Sequence, residues 1–361
     1  MSPADTNAAD TNAADTNAAD TNRADTNAAD MKAASMRTVM AVPSVVRGRA
    51  GRLLVPLAVV VVLAALPLVL GAYPITLASR VLAFALLVVS VDILTGVTGL
   101  PTLGQVAYFG AGAYTAALVG IHWTSNAAVQ LLAGVLVATA LALATGAIVV
   151  RTKGIVFLMV TLAVGELTHQ VAASWTAVGG TNGLAGIPPI SVLPGGPALT
   201  LSGFVYWWVL AVFVVVFLLV ARAMRAPFGR TLRGIRDNEP RLRALGQRTY
   251  SAKLAAYGLA GAVAGAAGTL WTAQARFVSP TDLGFDVAAF ALLSVVIGGA
   301  GSLWGPCLGA ALVILVRDEV SDYVDGRGPL LLGIVFVAGV YLLPRVRAVL
   351  GRLRAREKGF P

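Results

Sequence analysis

The chain has 361 residues, of which 57% are hydrophobic and 12% charged, with a mean hydropathy of +0.80 and a net charge of +10. Soluble globular proteins carry about 25% charged and about 45–50% apolar residues, so a water-soluble fold is excluded and the chain is an integral membrane protein. A single cysteine (Cys307), two histidines (His122 and His169) and no Gly-Lys dipeptide exclude an internal disulfide, a Cys- or His-rich metal site and a Walker A nucleotide loop.

No metal or cofactor is expected, and any ATP that drives the protein must be bound by another chain. In a soluble protein a pI near 10.2 would suggest nucleic acid. Here the basic residues are read as marking cytoplasmic loops, under the positive-inside rule.

Residues 4–28 are five copies of Ala-Asp-Thr-Asn followed by Ala or Arg. The repeat has no apolar face, so 1–30 read as a disordered tail. Residues 31–52 form a basic segment with Lys32, Arg37, Arg47, Arg49 and Arg52, which places the N-terminus in the cytoplasm. An apolar, membrane-spanning region follows over 53–346.

Its predicted spans are 53–72, 75–95, 102–120, 129–150, 154–175, 204–221, 254–275 and 330–344. The second ends at the breakers Gly96, Gly99 and Pro101. Residues 176–203 lack Lys and Arg and read as an external loop, followed by a Tyr206-Trp207-Trp208 belt at the outer interface. Residues 287–316 are interrupted at Gly298–Pro306. Each flank is too short to cross about 30 Å of hydrocarbon unaided, so a re-entrant pair and two tilted spans both fit. The expected fold is therefore an all-α polytopic membrane protein of about eight to ten transmembrane helices, some broken or re-entrant. The basic tail 347–361 places the C-terminus in the cytoplasm as well.

Within the seventh span Gly258, Gly261, Gly265 and Gly268 fall on one helix face, open to close packing inside the chain, at a subunit interface or at a gating seam. Arg80, Asp92, Glu166 and His169 lie in apolar spans, where a charge costs about 2.5–3.5 kcal/mol unless it meets protein or water. Glu166, His169 and Gln170 share a helix face. They read either as part of a translocation path or as a buried hydrogen-bond cluster.

The segment 222–253 carries nine Lys or Arg and reads as a cytoplasmic loop. Asn238 is a suitable N-cap for a short helix, Glu239 suits its positive end at about 0.3–1 kcal/mol, Pro240 is tolerated in its first turn, and Gly246 suits its exit. Such a surface helix binds either lipid headgroups or a cytoplasmic partner.

This loop resembles the coupling segment of the LivM-type permeases of branched-chain amino acid ABC transporters. So do Gly99-Leu100-Pro101-Thr102-Leu103-Gly104-Gln105 with Gly110–Tyr114, Thr161–Glu166 with Gly179–Gly183, and Gly298–Pro306, in that order. The family's Glu-x-Ala-Ala pattern reads here Glu239-Pro240-Arg241-Leu242. It lacks the Ala pair, while Glu239, Ala244, Leu245 and Gly246 fit.

The resemblance implies a multi-pass permease subunit in the bacterial plasma membrane, without enzymatic activity of its own. Its implied partners are a LivH-like second permease, two cytoplasmic ATPases and an external solute-binding protein. It further implies ATPase coupling through Arg233, Arg236, Glu239, Ala244, Leu245 and Gly246. Translocation-path candidates are Gln105, Tyr114, Glu166, His169 and Asn182. The cargo would be a branched-chain amino acid or a related small polar solute such as urea or an amide. The competing reading is a stand-alone ion-coupled secondary transporter or channel.

Overall fold

The structure, a computed structural model, describes residues 61–67, 71–191, 202–320 and 333, all in one compact unit that begins at Val60. The tail 1–30, the basic segment 31–52, the C-terminal stretch 347–361 and most of the spans predicted at 53–72 and 330–344 lie outside the described residues.

Hydrocarbon offers backbone groups no hydrogen-bond partner, so spanning segments close their own bonds as helices. After a helical stretch at 61–67, nine α-helices follow among the described residues: α1 (Ala72–Asp92), α2 (Gln105–His122), α3 (Ala127–Val149), α4 (Gly154–Ser174), α5 (Ser202–Arg225), α6 (Pro227–Ala244), α7 (Thr249–Ala275), α8 (Phe285–Gly298) and α9 (Trp304–Leu315). Strand pairing among them is limited to the isolated bridges Asn126–Ser191 and Leu184–Val278. The protein is an all-α polytopic membrane protein. Five segments, Tyr73–Thr98, Ala127–Val149, Gly154–Ser174, Gly203–Arg225 and Thr249–Ala275, are long and apolar enough to cross a bilayer.

Two boundaries differ from the sequence reading for a physical reason. Helix α1 continues past Asp92 into a π-helical turn, Ile93–Thr98, and stops at Gly99, which takes the left-handed conformation at φ +76°. The chain then runs without regular structure until α2 starts at Gln105, three residues after the predicted start of the third span. Residues 287–316 form the helical pair α8 and α9. They pack so closely that a Cβ on Gly298 would stand 2.0 Å from the Gly305 carbonyl oxygen, and one on Gly309 2.0 Å from that of Ser294. At 14 and 12 residues they measure about 21 and 18 Å.

The centre of the bundle is α7 against α2 and α3, and the four glycines of α7 make that approach possible. A Cβ on Gly261 would meet the Ala142 Cβ at 2.2 Å, one on Gly265 the Ala138 Cβ at 2.4 Å, and one on Gly258 the Leu143 side chain at 2.7 Å. Gly268 lies directly on the Phe109 backbone. The glycine face is thus used inside the chain. Tyr108 ties the same three helices together: its hydroxyl lies 2.6 Å from Thr145 Oγ1 and donates to the Tyr257 hydroxyl at 2.9 Å.

The aromatic belt is a correction. Tyr206 is fully buried and its hydroxyl donates to the Leu63 carbonyl, whereas Trp207 is exposed. The phenol needs a partner once out of water, and the helical stretch 61–67 supplies it.

The α3–α4 turn, α6 and the start of α7 meet at one end of the bundle, joined by Lys153, Arg243 and Lys253 around Glu239. The opposite end carries the glycine turn 179–183 and the Leu184–Val278 bridge. In a Cys307→Ser background, a cysteine placed at exposed Thr181 is expected to react with a membrane-impermeant thiol reagent in intact cells. One placed at exposed Gln247 is expected to react only after permeabilisation. Equal labelling of both would overturn the orientation.

Candidate functional site

The basic surface segment is longer and more ordered than a short capped helix. Helix α5 runs to Arg225, Ala226 breaks the helical backbone, and Pro227 opens α6 at a position where its missing N–H costs nothing. Gly229, Leu232 and Ile235 recur at helical spacing and are buried, while Arg230, Arg233 and Arg236 recur at the same spacing and are exposed. This amphipathic pattern is present in the sequence. It is masked there by the density of arginines.

Asn238 interrupts α6 with φ −161° and ψ 93° and restarts it as an N-cap, its Oδ1 accepting from the Arg241 N–H at 3.0 Å. The second half closes in a Schellman motif. Gln247 N–H bonds the Leu242 carbonyl, Gly246 N–H bonds that of Arg243, and Gly246 is left-handed at φ +78°. Leu245 is 72% exposed at this tip, beside exposed Ala244 and Gly246.

Glu239 anchors the second half from within the chain. Its carboxylate meets Lys253 Nζ at 2.6 Å, Arg243 Nη2 at 2.6 Å and Lys153 Nζ at 2.9 Å, and Lys253 itself is only 2% exposed. Burial alone would raise the carboxyl pKa. The hydrogen bonds from Lys253, Lys153 and Arg243 and the charge of Lys253 outweigh it and hold the group down at about 2. Glu239 thereby ties the start of α7, the α3–α4 turn and α6 together, with its side chain 11% exposed.

The first half of α6 is bound to the broken helices. Arg233 Nη2 donates to the Met224 carbonyl at 3.2 Å. Arg236 Nη1 donates to the Gly96 carbonyl in the π turn. The same side chain packs where Gly99 and Gly301 lack Cβ atoms. Asp92, fully buried at the end of α1, accepts from the Gly301 N–H at 2.7 Å.

The translocation-path candidates divide into two groups. Gln105, 1% exposed at the start of α2, and the Tyr114 hydroxyl are buried with no hydrogen-bond partner among the described residues. Glu166, by contrast, faces outward from α4 with a side chain 58% exposed, its Oε1 3.4 Å from His169 Nδ1. Gln170 and Ser174 lie exposed on the same face, and exposed Thr181 and Asn182 follow in the turn beyond. Only 22% of the most apolar stretch of α4 is buried within the chain, against 89% for α1. A polar stripe on a lipid-facing helix would cost several kcal/mol, so this face meets water or another protein. Within this chain the Glu166 side chain is exposed, so it does not hold the chain's own described helices together.

Arg80 completes the intramembrane charges by pairing with Asp318 at 3.6 Å. Among the described residues no group of three or more His, Cys, Asp or Glu side chains is placed to hold a metal ion.

Comparison with known proteins adds three findings. The family described as branched-chain amino acid transport system, permease component, matches residues 73–340. The high-affinity branched-chain amino acid transport system permease protein LivM of Salmonella typhimurium is 28% identical over 329 residues, covering 84% of this chain and 77% of the relative. The protein of the same name from Escherichia coli is 28% identical over 328 residues, with the same 84% and 77% coverage. No solved structure matches the chain.

Proposed function

The chain belongs to the family of branched-chain amino acid transport system permease components, and from that premise we propose that it is the solute-conducting permease subunit of an ABC importer. Its cargo is a branched-chain amino acid or a related small polar solute such as urea or an amide. It works in the bacterial inner membrane with a LivH-like second permease, two cytoplasmic ATPases and an external solute-binding protein. ATP hydrolysis belongs to the separate ATPase subunits.

One observation carries this reading: a capped, arginine-rich surface helix, α6, whose inner face is bonded to the glycine breaks and whose tip exposes Leu245. Such a helix forms a lever at the chain's surface. In an ABC importer the lever receives the ATPase stroke, and ATP binding shifts the chain between inward- and outward-open states through differential docking. The polar stripe Glu166–Gln170–Ser174 supplies one wall of the solute path, the second permease the other.

Leu245 is the docking contact to test, because an apolar side chain 72% exposed on a cytoplasmic surface is an anchor for a protein pocket. Leu245→Asp is expected to leave membrane expression unchanged and to lower ATPase co-purification about thirtyfold, the size of a hot-spot loss of about 2 kcal/mol. Retention of the ATPase at the wild-type level would remove the tip of α6 from the docking surface. Neutralising exposed Arg230, Arg233 and Arg236 together would then lower uptake more than Leu245→Asp does, as a helix seated on lipid headgroups requires.

A further inference from the structure

The cytoplasmic helix, the π turn of α1 and the α8–α9 loop are distant in sequence and meet at one point. Arg236 stands 140 residues from Gly96, and Asp92 stands 209 residues from Gly301. Two side-chain hydrogen bonds join the three segments. One runs from the Arg236 guanidinium to the Gly96 carbonyl, the other from the Gly301 N–H to Asp92 Oδ1 at 2.7 Å.

Between these bonds the two breaks touch backbone to backbone. A Cβ on Gly96 would stand 2.2 Å from the Gly301 nitrogen, and one on Gly301 3.0 Å from Arg236 Nη1. Gly99, Gly299 and Gly301 are left-handed, at φ +76°, +95° and +84°, so the loops turn without strain. A π turn is a weakened stretch of helix, often found at functional sites. Asp92 is fully buried, its Oδ1 held by the Gly301 N–H and its Oδ2 without a hydrogen-bond partner among the described residues.

We propose that Arg236 and Asp92 are positioning residues that make both glycine breaks move with the surface helix, Arg236 gripping Gly96 and Asp92 gripping Gly301. Arg236 then acts inward, as a linkage, and the ATPase-docking contact is left to the tip at Leu245. The linkage rests on the reading of the chain as an importer permease only for the direction in which force travels. The mechanical connection exists in the isolated chain.

Two measurements separate these statements. In the purified full chain, Arg236→Gln is expected to speed hydrogen exchange in the segment 299–303 about tenfold or more, the size of one charge-assisted hydrogen bond. Residue 236 lies against Gly301 but bonds none of that loop's N–H groups, so faster exchange there reports that the Arg236 side chain holds the second break as well as the first. Unchanged exchange would overturn the linkage, whatever the chain transports.

In the complete importer reconstituted in vesicles, the same variant is expected to retain its ATPase subunits and their hydrolysis while solute moved per ATP falls about tenfold. Arg236→Lys keeps the charge without the planar fork and is expected to lie between wild type and Arg236→Gln. It also serves if Arg236→Gln fails to fold. An unchanged ratio of solute to ATP would overturn the proposal. So would loss of the ATPase from the complex, which would make Arg236 a docking contact. A wild-type complex without ATP-dependent uptake would instead defeat the functional reading and leave the exchange result as the test.

Discussion

Glu239→Arg is expected to destabilise the folded chain by about 3–5 kcal/mol, the cost of leaving a buried charge without its partner, and to remove most of the protein from the folded membrane fraction. Lys253 is 2% exposed and would lose the carboxylate 2.6 Å away, while the new cation would face Lys153, Lys253 and Arg243 together. Glu239→Gln keeps one acceptor oxygen and should cost less.

The pH dependence follows from the direction of the shift. The folded pKa of about 2 lies below the ordinary value of 4.5. The cluster's contribution is therefore fully present above about pH 4.5 and is lost as the pH falls from there towards 2. The gap in thermal midpoint between wild type and Glu239→Gln, measured in detergent, should hold constant from pH 7 to pH 5 and shrink below. Equal midpoints for wild type and Glu239→Arg would show that the three cations do not depend on Glu239.

Gly268→Val is expected to disrupt assembly of the bundle. A Cβ there would lie 1.9 Å from the Phe109 carbonyl oxygen and 2.9 Å from the Ala113 nitrogen, both backbone atoms of α2 that cannot swing aside. Relief requires prising α7 from α2, which also breaks the bond from Thr272 Oγ1 to the Ala113 carbonyl at 3.2 Å. Overpacking of this kind costs about 3 kcal/mol or more. Proteolysis of the purified variant should cut the chain under conditions that leave wild type intact. By contrast Gly246→Ala, whose Cβ would meet nothing within 4 Å, should carry only the strain of its left-handed backbone. Equal resistance of Gly268→Val and wild type would contradict the close contact of α7 with α2.

These two sites show what was legible in the sequence. The α7 glycine face and the caps at Asn238 and Gly246 depend on local spacing and local backbone chemistry, and both were readable. The size of the Glu239 effect was not. The helix dipole suggests about 0.3–1 kcal/mol at its position, while the larger contribution comes from Lys153 and Lys253, which no spacing rule connects to it. Asp92 likewise signalled only that it needs a partner, and Gly301 stands 209 residues away. Tyr206 went wrong for the same reason, since its aromatic neighbours suggested an interface and its actual partner is a distant backbone carbonyl. On α4, the i, i+3, i+4 spacing placed Glu166 with His169 and Gln170, but whether that face turns inward or outward depends on how the whole bundle packs.

The proposed function is solute conduction by this chain under the control of separate ATPases acting through α6. Its most direct test is uptake of radiolabelled leucine, isoleucine or valine into vesicles holding the chain with its partner permease and ATPases, with the solute-binding protein outside. Uptake should require ATP on the ATPase side, persist when ion gradients are collapsed, and disappear with Leu245→Asp. Full uptake by the chain without the ATPases, driven by a proton or sodium gradient and unaffected by Leu245→Asp, would contradict the account and identify a stand-alone secondary transporter.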